Sequence, residues 1–212
     1  MQSVSKGERT RAAILDEALR IASRLGLEGL TIGSLAAATG LTKSGLFAHF
    51  GSREELQVAL LKHVEGRFAE TVLKPALSAP RGLARLRAMF VNWLDWAHSP
   101  ELPGGCPMVA ASSEFDDRPG PVREQLARGQ REWIAALKLG VALAIEAGEL
   151  AGDTDPEQLV FELYGISFAT HHYQRLLGHT RARERALAAL DELFGAHSAA
   201  GAARRIASRR GV

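Results

Sequence analysis

A single cysteine, Cys106, is all that 212 residues carry, so no disulfide can form within the chain and a reducing compartment is indicated. No apolar run approaches the roughly eighteen residues that a membrane-spanning helix needs. The first thirty residues carry charges where a secretory leader would need an unbroken apolar stretch, so the expectation is a cytoplasmic protein with no membrane partner. Signatures of catalysis are missing as well: there is no G-x-S-x-G elbow, phosphate-binding loop, dinucleotide glycine pattern or H-E-x-x-H pair. An enzyme is therefore not expected, nor a cofactor. His98 and the His171-His172 pair lack cysteines or carboxylates at metal-ligand spacing, so no metal is expected. Cys106 has no basic neighbour within several residues to activate its thiol as a sensor.

Charge is also in short supply. The net charge is only +2, and residues 1 to 53 hold seven Lys and Arg against four Asp and Glu. That excess is as compatible with an ordinary solvated surface as with a nucleic-acid partner. The last eighteen residues, 195 to 212, hold four arginines, no acids and few residues fit for a core, and are read as a basic disordered tail.

What the chain does have is helical periodicity from end to end, with 46% hydrophobic residues to build a core. Ile14, Leu15, Ala18, Leu19, Ala22 and Leu25 share one face of a first helix, which GLEG at 26 to 29 ends. Thr31 can cap a short second helix that Gly40 stops, and Thr42 can cap a third that runs to Phe50. Ser52-x-x-Glu55 has the form of a capping box opening a fourth helix, with Lys74-Pro75 as its stop. Longer helices follow, for about nine in all and no strand. The expected class is all-α, divided into residues 1 to 52, 53 to 194 and the tail.

Two short helices joined across Gly40 and braced by a longer one describe a helix-turn-helix, whose second helix enters the major groove of DNA. The stretch LTKSGLFAHFGSREEL at 41 to 56 is then the reading helix and the start of the next. Leu46 and Phe50, one turn apart, would pack inward, leaving Thr42, Lys43, Ser44, Gly45 and Phe47 toward the groove. Gly45 costs helix stability, up to about 1 kcal/mol against alanine, which suggests a contact surface where bulk is unwelcome. Arg53, in the first turn of the fourth helix, and His49 are candidate phosphate contacts, with solvated surface as the competing interpretation.

The segment TIGSLAAATGLTKSGLFAHFGSREELQVALL resembles the DNA-binding signature of the tetracycline-repressor (TetR) family of bacterial transcription regulators, over residues 10 to about 60. The resemblance implies that Thr31 caps helix two and touches the backbone of DNA, that Thr42 caps the reading helix, that Lys43, Ser44 and Gly45 meet bases or phosphates, and that His49 and Arg53 meet phosphates. Three positions depart from the family pattern: Phe47 where tyrosine is common, Ala48 where a larger polar residue is common, and Arg53 where lysine is usual. Phe47 keeps an apolar surface for a thymine methyl but has no hydroxyl for a phosphate.

The resemblance further implies a homodimer built on helices eight and nine, with Phe161, Phe168, Leu187, Leu190 and Phe194 at the interface, bound to a palindromic operator. It also implies a central cavity for an unknown small molecule, for which Trp93, Trp96, Met108, Phe115, Trp133, Tyr164 and His171 are candidates; each taken singly is also a normal core residue. A ligand favouring a conformer with wrongly spaced reading helices would release the DNA. The alternative is a helical adaptor using the helix-turn-helix as scaffold, which would have no need of cations beside the reading helix.

Overall fold

The computed structural model describes residues 6 to 198, 200 and 201. Among these, the regular structure is helical, apart from one isolated antiparallel bridge between Leu150 and Ser198. Nine helices follow in order: α1 Lys6–Gly29, α2 Ile32–Thr39, α3 Lys43–Phe50, α4 Arg53–Phe68, α5 Leu83–Ala97, α6 Pro107–Glu114, α7 Pro121–Glu146, α8 Pro156–Arg175 and α9 Ala182–His197. The all-α expectation therefore holds.

The chain divides into two compact units, one drawing on residues up to Ala69 and on Trp96–Gln130, the other on Glu70–Asp95 and the chain from Arg131 onward. This division lies elsewhere than the sequence boundary at residue 52. In the first unit α1 buries Ile14, Leu15, Ala18, Leu19 and Ala22, the stripe that its periodicity marks, but leaves Leu25 exposed. Its helical path breaks at Gly26, which adopts φ 73° and ψ 173°. Glycine is required there twice over. The conformation is one that other residues rarely adopt, and a β-carbon would fall 1.8 Å from Oε1 of Glu114. That same carboxylate accepts the backbone N–H of Glu28 at 2.9 Å, so α6 is fastened to the end of α1.

One stop signal is passed over. Lys74-Pro75 was expected to end α4, yet the chain continues through a π-helical turn, Ala69–Leu73, and a short helical piece, Lys74–Ala76, before it turns. Proline lacks an N–H, and at the first turn of a new helical piece none is called for. The wider π turn before it separates that piece from the ladder of α4.

In the second unit Asp155 caps α8 by accepting the N–H of Glu157 at 2.8 Å, and Pro156 fills the first helical position. Leu159 and Leu163 of α8 and Ala186, Leu190 and Phe194 of α9 are buried between these neighbours and the rest of the unit. Ion pairs fasten the outer surface: Arg183 to Asp95 at 2.7 Å, Arg87 to Asp191 at 2.8 Å, and Lys138 to Glu157. Exposed pairs of this kind each contribute less than about 1 kcal/mol, so packing holds the unit together. α9 runs past residue 194 to His197, whose carbonyl accepts the N–H of Ala151 at 2.9 Å. The rest of the basic tail, from residue 202 onward, lies outside the described residues.

Candidate nucleic-acid interface

Helices of eight residues, such as α2 and α3, have too few internal hydrogen bonds to be stable alone, and here side chains at their ends supply the missing ones. Thr31 Oγ1 accepts the N–H of Ser34 at 3.0 Å while the N–H of Thr31 donates to Ser34 Oγ at 3.0 Å, a reciprocal capping box. Gly40 closes α2 in the left-handed conformation at φ 69°. Thr42 Oγ1 then accepts the N–H of Gly45 at 3.1 Å, and Ser52 Oγ accepts that of Glu55 at 3.0 Å. Three hydroxyls thus set the start of three successive helices. Each such cap contributes about 1 kcal/mol.

These caps fix which face of α3 looks inward. Leu46 and Phe50 are buried, whereas Thr42, Lys43, Ser44 and Ala48 are exposed and Phe47 keeps 48% of its surface in the open. Gly45 and His49 are half-buried. The half-open ring of Phe47 thus presents apolar surface beside the polar side chains of Lys43 and Ser44. Gly45 has a local role as well, since a β-carbon there would stand 3.2 Å from the capping Thr42 Oγ1 and would press on that hydroxyl.

Thr31 and Lys43 converge. A β-carbon placed on Gly33, in the first turn of α2, would lie 3.7 Å from Thr31 Oγ1 and 4.0 Å from Cε of Lys43. The Thr31 hydroxyl and the Lys43 side chain therefore both reach the start of α2, where the positive end of the helix dipole suits an anion. Periodicity alone did not single out Gly33 or Ser34, although the Thr-x-x-Ser spacing was a readable signal for the cap.

Arg53 stands differently from its neighbours. Its Nε donates to the Leu30 carbonyl at 3.2 Å and an Nη donates to the Glu28 carbonyl. The Glu28 carboxylate lies 3.5 Å from the same guanidinium and 3.1 Å from that of Arg118. Two of its donors therefore tie the start of α4 to the turn leading into α2. This is a bond network within the protein, which no sequence pattern announces.

The candidate ligand residues fall into two groups. In the second unit Trp93 meets Trp133 edge-on at a centroid distance of 5.5 Å and Tyr164 at 5.3 Å, with Phe168 stacked on Tyr164 at 6.1 Å. His171 is half-buried in the same unit. Trp96, Met108 and Phe115 belong to the first unit, where Trp96 packs edge-on against Phe68 at 6.1 Å and Phe115 lies under the Arg118 guanidinium at 5.7 Å. Cys106 is buried at the start of α6, beside the N–H groups of Val109 and Met108 and the indole of Trp96. Burial pushes its thiol above the ordinary value and outweighs those donors, so the thiol stays protonated and inert.

The expected interface residues also separate. Phe161 is 73% exposed and Phe168 is exposed, while Leu187 is half-buried. Leu190 and Phe194 are buried within the chain itself, on the face of α9 that packs inward. An open groove of about 820 Å³ runs along α8 and α9, lined by Phe161, Gly165, Ile166, Ala169, Tyr173, Ala189 and Leu193 among others.

Comparison with known proteins agrees with this architecture. Residues 14–60 match the model for bacterial regulatory proteins of the tetR family, and residues 82–190 match the tetracyclin repressor-like C-terminal domain. The HTH-type transcriptional repressor AcnR of Corynebacterium efficiens is 38% identical over 78 residues, which is 35% of this chain and 42% of that protein, so the likeness spans under half of that relative's length. A TetR transcriptional regulator from Chloroflexus aurantiacus is 26% identical, with a TM-score of 0.79 over 90% of this chain and 95% of its own. AibR, solved in complex with isovaleryl coenzyme A and operator DNA, shares the fold at a TM-score of 0.68 and 23% identity over 87% of this chain and 96% of its own. With its N-terminal and C-terminal parts each matched by a model of the same family, the chain belongs to the tetR family of bacterial regulatory proteins, which are transcriptional regulators and not enzymes.

Proposed function

We propose that the chain is a ligand-responsive repressor that binds a palindromic operator as a homodimer and is released by a small molecule. The observation that carries this reading is the exposed face of α3. Thr42, Lys43, Ser44 and Phe47 are held outward by caps at both ends of the turn, on a short helix that a major groove can admit. Lys43 and Thr31 serve phosphates at the start of α2; Ser44, Gly45 and Phe47 face base edges; His49 lies beside them. Arg53 acts chiefly by fixing the start of α4 against the α1–α2 turn.

The groove along α8 and α9 supports self-association. It is mostly apolar and open, and a second copy of the same pair of helices would cover Phe161 and close a four-helix bundle. The aromatic cluster of Trp93, Trp133 and Tyr164 supports an effector with substantial apolar surface, in a mostly apolar setting with few polar groups. AibR, with its acyl-coenzyme A ligand and operator, is a precedent for that pairing of partners in this fold. Residues 1 to 52 would then read DNA and 53 to 194 would dimerise and bind the effector.

The test is a fluorescence-anisotropy titration against the DNA flanking the chain's own gene and a scrambled duplex, at two salt concentrations. Tight, salt-sensitive binding that prefers the native duplex is expected. Absence of binding at low salt would overturn the operator reading and favour an adaptor.

A further inference from the structure

Arg11 lies in α1, thirty-nine positions before Phe50, with nothing in its periodicity to separate it from other solvated arginines. The fold brings its guanidinium over the ring of Phe50, 5.0 Å from the centroid. Phe50 is the last residue of α3 and is buried, so its ring places the arginine above it at the C-terminal end of the reading helix. Lys43 stands at the other end, beside Thr31. With eight residues at about 1.5 Å rise each, α3 is about 12 Å long, comparable to the major groove's width of about 12 Å.

We infer that Arg11 is a phosphate contact of the reading head, paired with Lys43 across the length of α3, while Arg53 at the neighbouring helix start is a positioning residue. This rests on the operator-binding reading above and names the cations that serve it.

The chemistry of the two arginines separates them. A guanidinium attracted to an aromatic ring needs none of its five N–H donors for that contact and can turn them to an oxyanion. The Arg11 guanidinium lies over the Phe50 ring, and such a contact does not by itself take up N–H donors as a bond to a carbonyl does, so contact with the ring and donation to a phosphate are compatible. Arg53 uses in-plane donors on the carbonyls of Leu30 and Glu28, and turning them to a phosphate would undo the attachment of α4 to the α1–α2 turn. Glu54 and Glu55 share a hollow with Arg11, but the carboxylate of Glu55 is drawn over the backbone of Gly51, where a β-carbon would meet its Oε2 at 2.1 Å. A cation at the C-terminal end of a helix also suits the dipole of α3, so the position is compatible with the fold in the absence of DNA.

The experiment measures the slope of log affinity against log salt for the full chain, with the flanking duplex and a scrambled duplex, in wild type, Arg11→Ala, Arg11→Lys and Arg53→Ala. Thermal unfolding of each variant is followed alongside. Each phosphate contact contributes about 0.9 to that slope, equivalent to about a threefold to fourfold change in affinity for a fourfold change in salt. Arg11→Ala is expected to lower the slope by about 0.9 for each bound subunit, equally on both duplexes and with unfolding little changed, and Arg11→Lys to restore it. Arg53→Ala is expected to keep the slope and lower the unfolding temperature. An unchanged slope in Arg11→Ala, or a loss confined to one base position, overturns the inference while leaving operator binding intact. Absence of salt-dependent binding in wild type overturns the operator reading and the inference together.

Discussion

The α2–α3 turn and the α8–α9 pair solve the same problem, holding two helices side by side, by different means. In α2 and α3 the helices are eight residues long, and hydroxyl caps at Thr31 and Thr42 with a left-handed glycine at 40 set their limits and direction. In α8 and α9 they are twenty and sixteen residues long, and the buried row of Leu159, Leu163, Ala186, Leu190 and Phe194 does the holding. Local hydrogen bonds act over three or four residues and so are written in the sequence in readable order. Long-range burial depends on which face meets which neighbour, and the same apolar residues serve a core or an interface equally well.

The sharpest break of this contrast lies within α3 itself. Leu46→Ala removes a fully buried side chain and should cost about 3 kcal/mol of stability, with loss of DNA binding as a consequence of unfolding. Phe47→Ala, one position on, should alter stability by no more than about 0.5 kcal/mol and still weaken binding. Denaturant titration beside anisotropy separates the two, and equal destabilisation by both would mean that Phe47 belongs to the core.

The same division can be tested on the long pair. Phe161→Asp places a charge in the open groove and should weaken self-association by about 2 kcal/mol or more without unfolding the chain, which sedimentation would read as a shift to monomer. Leu190→Ala should instead lower stability by about 2 to 5 kcal/mol, because that side chain is fully buried within the chain. A monomer produced by Leu190→Ala at unchanged stability would reverse this assignment.

A smaller effect is expected from the caps. Thr42→Ala should cost about 1 kcal/mol, and Thr42→Ser should recover most of it, since only the hydroxyl accepts from Gly45. Urea unfolding is adequate to measure the pair. The least effect belongs to Cys106: burial raises its thiol above the usual range, so a thiol reagent should react at neutral pH only as the protein unfolds, and rising pH should bring on reaction later than for a free cysteine. Rapid modification of the folded protein at neutral pH would contradict the burial.

Much of the α2–α4 segment was legible. Thr31, Gly40, Thr42 and Ser52 act within a few residues of their own positions, so the helix limits they impose follow from spacing alone. The long helices were legible as elements, through their periodicity, but not in their roles. Leu190 and Phe161 look alike as apolar positions on neighbouring helices, and only their packing separates a buried residue from an open one. Lys74-Pro75 misled for a related reason, because a π turn placed ahead of a proline cannot be read from the proline.

The sequence by itself determined an all-helical chain, the turn across Gly40 and the outward face of α3, since each depends on propensity, capping and a 3.6-residue period acting locally. Tertiary structure alone decided that Arg53 would fasten α4 to the carbonyls of Glu28 and Leu30, that Arg11 would rest on Phe50, and that Glu114 would occupy the space a side chain at Gly26 would need. Those pairs join residues twenty-three or more positions apart. No local rule links such positions, and only the packing of one helix on another brings their side chains within reach.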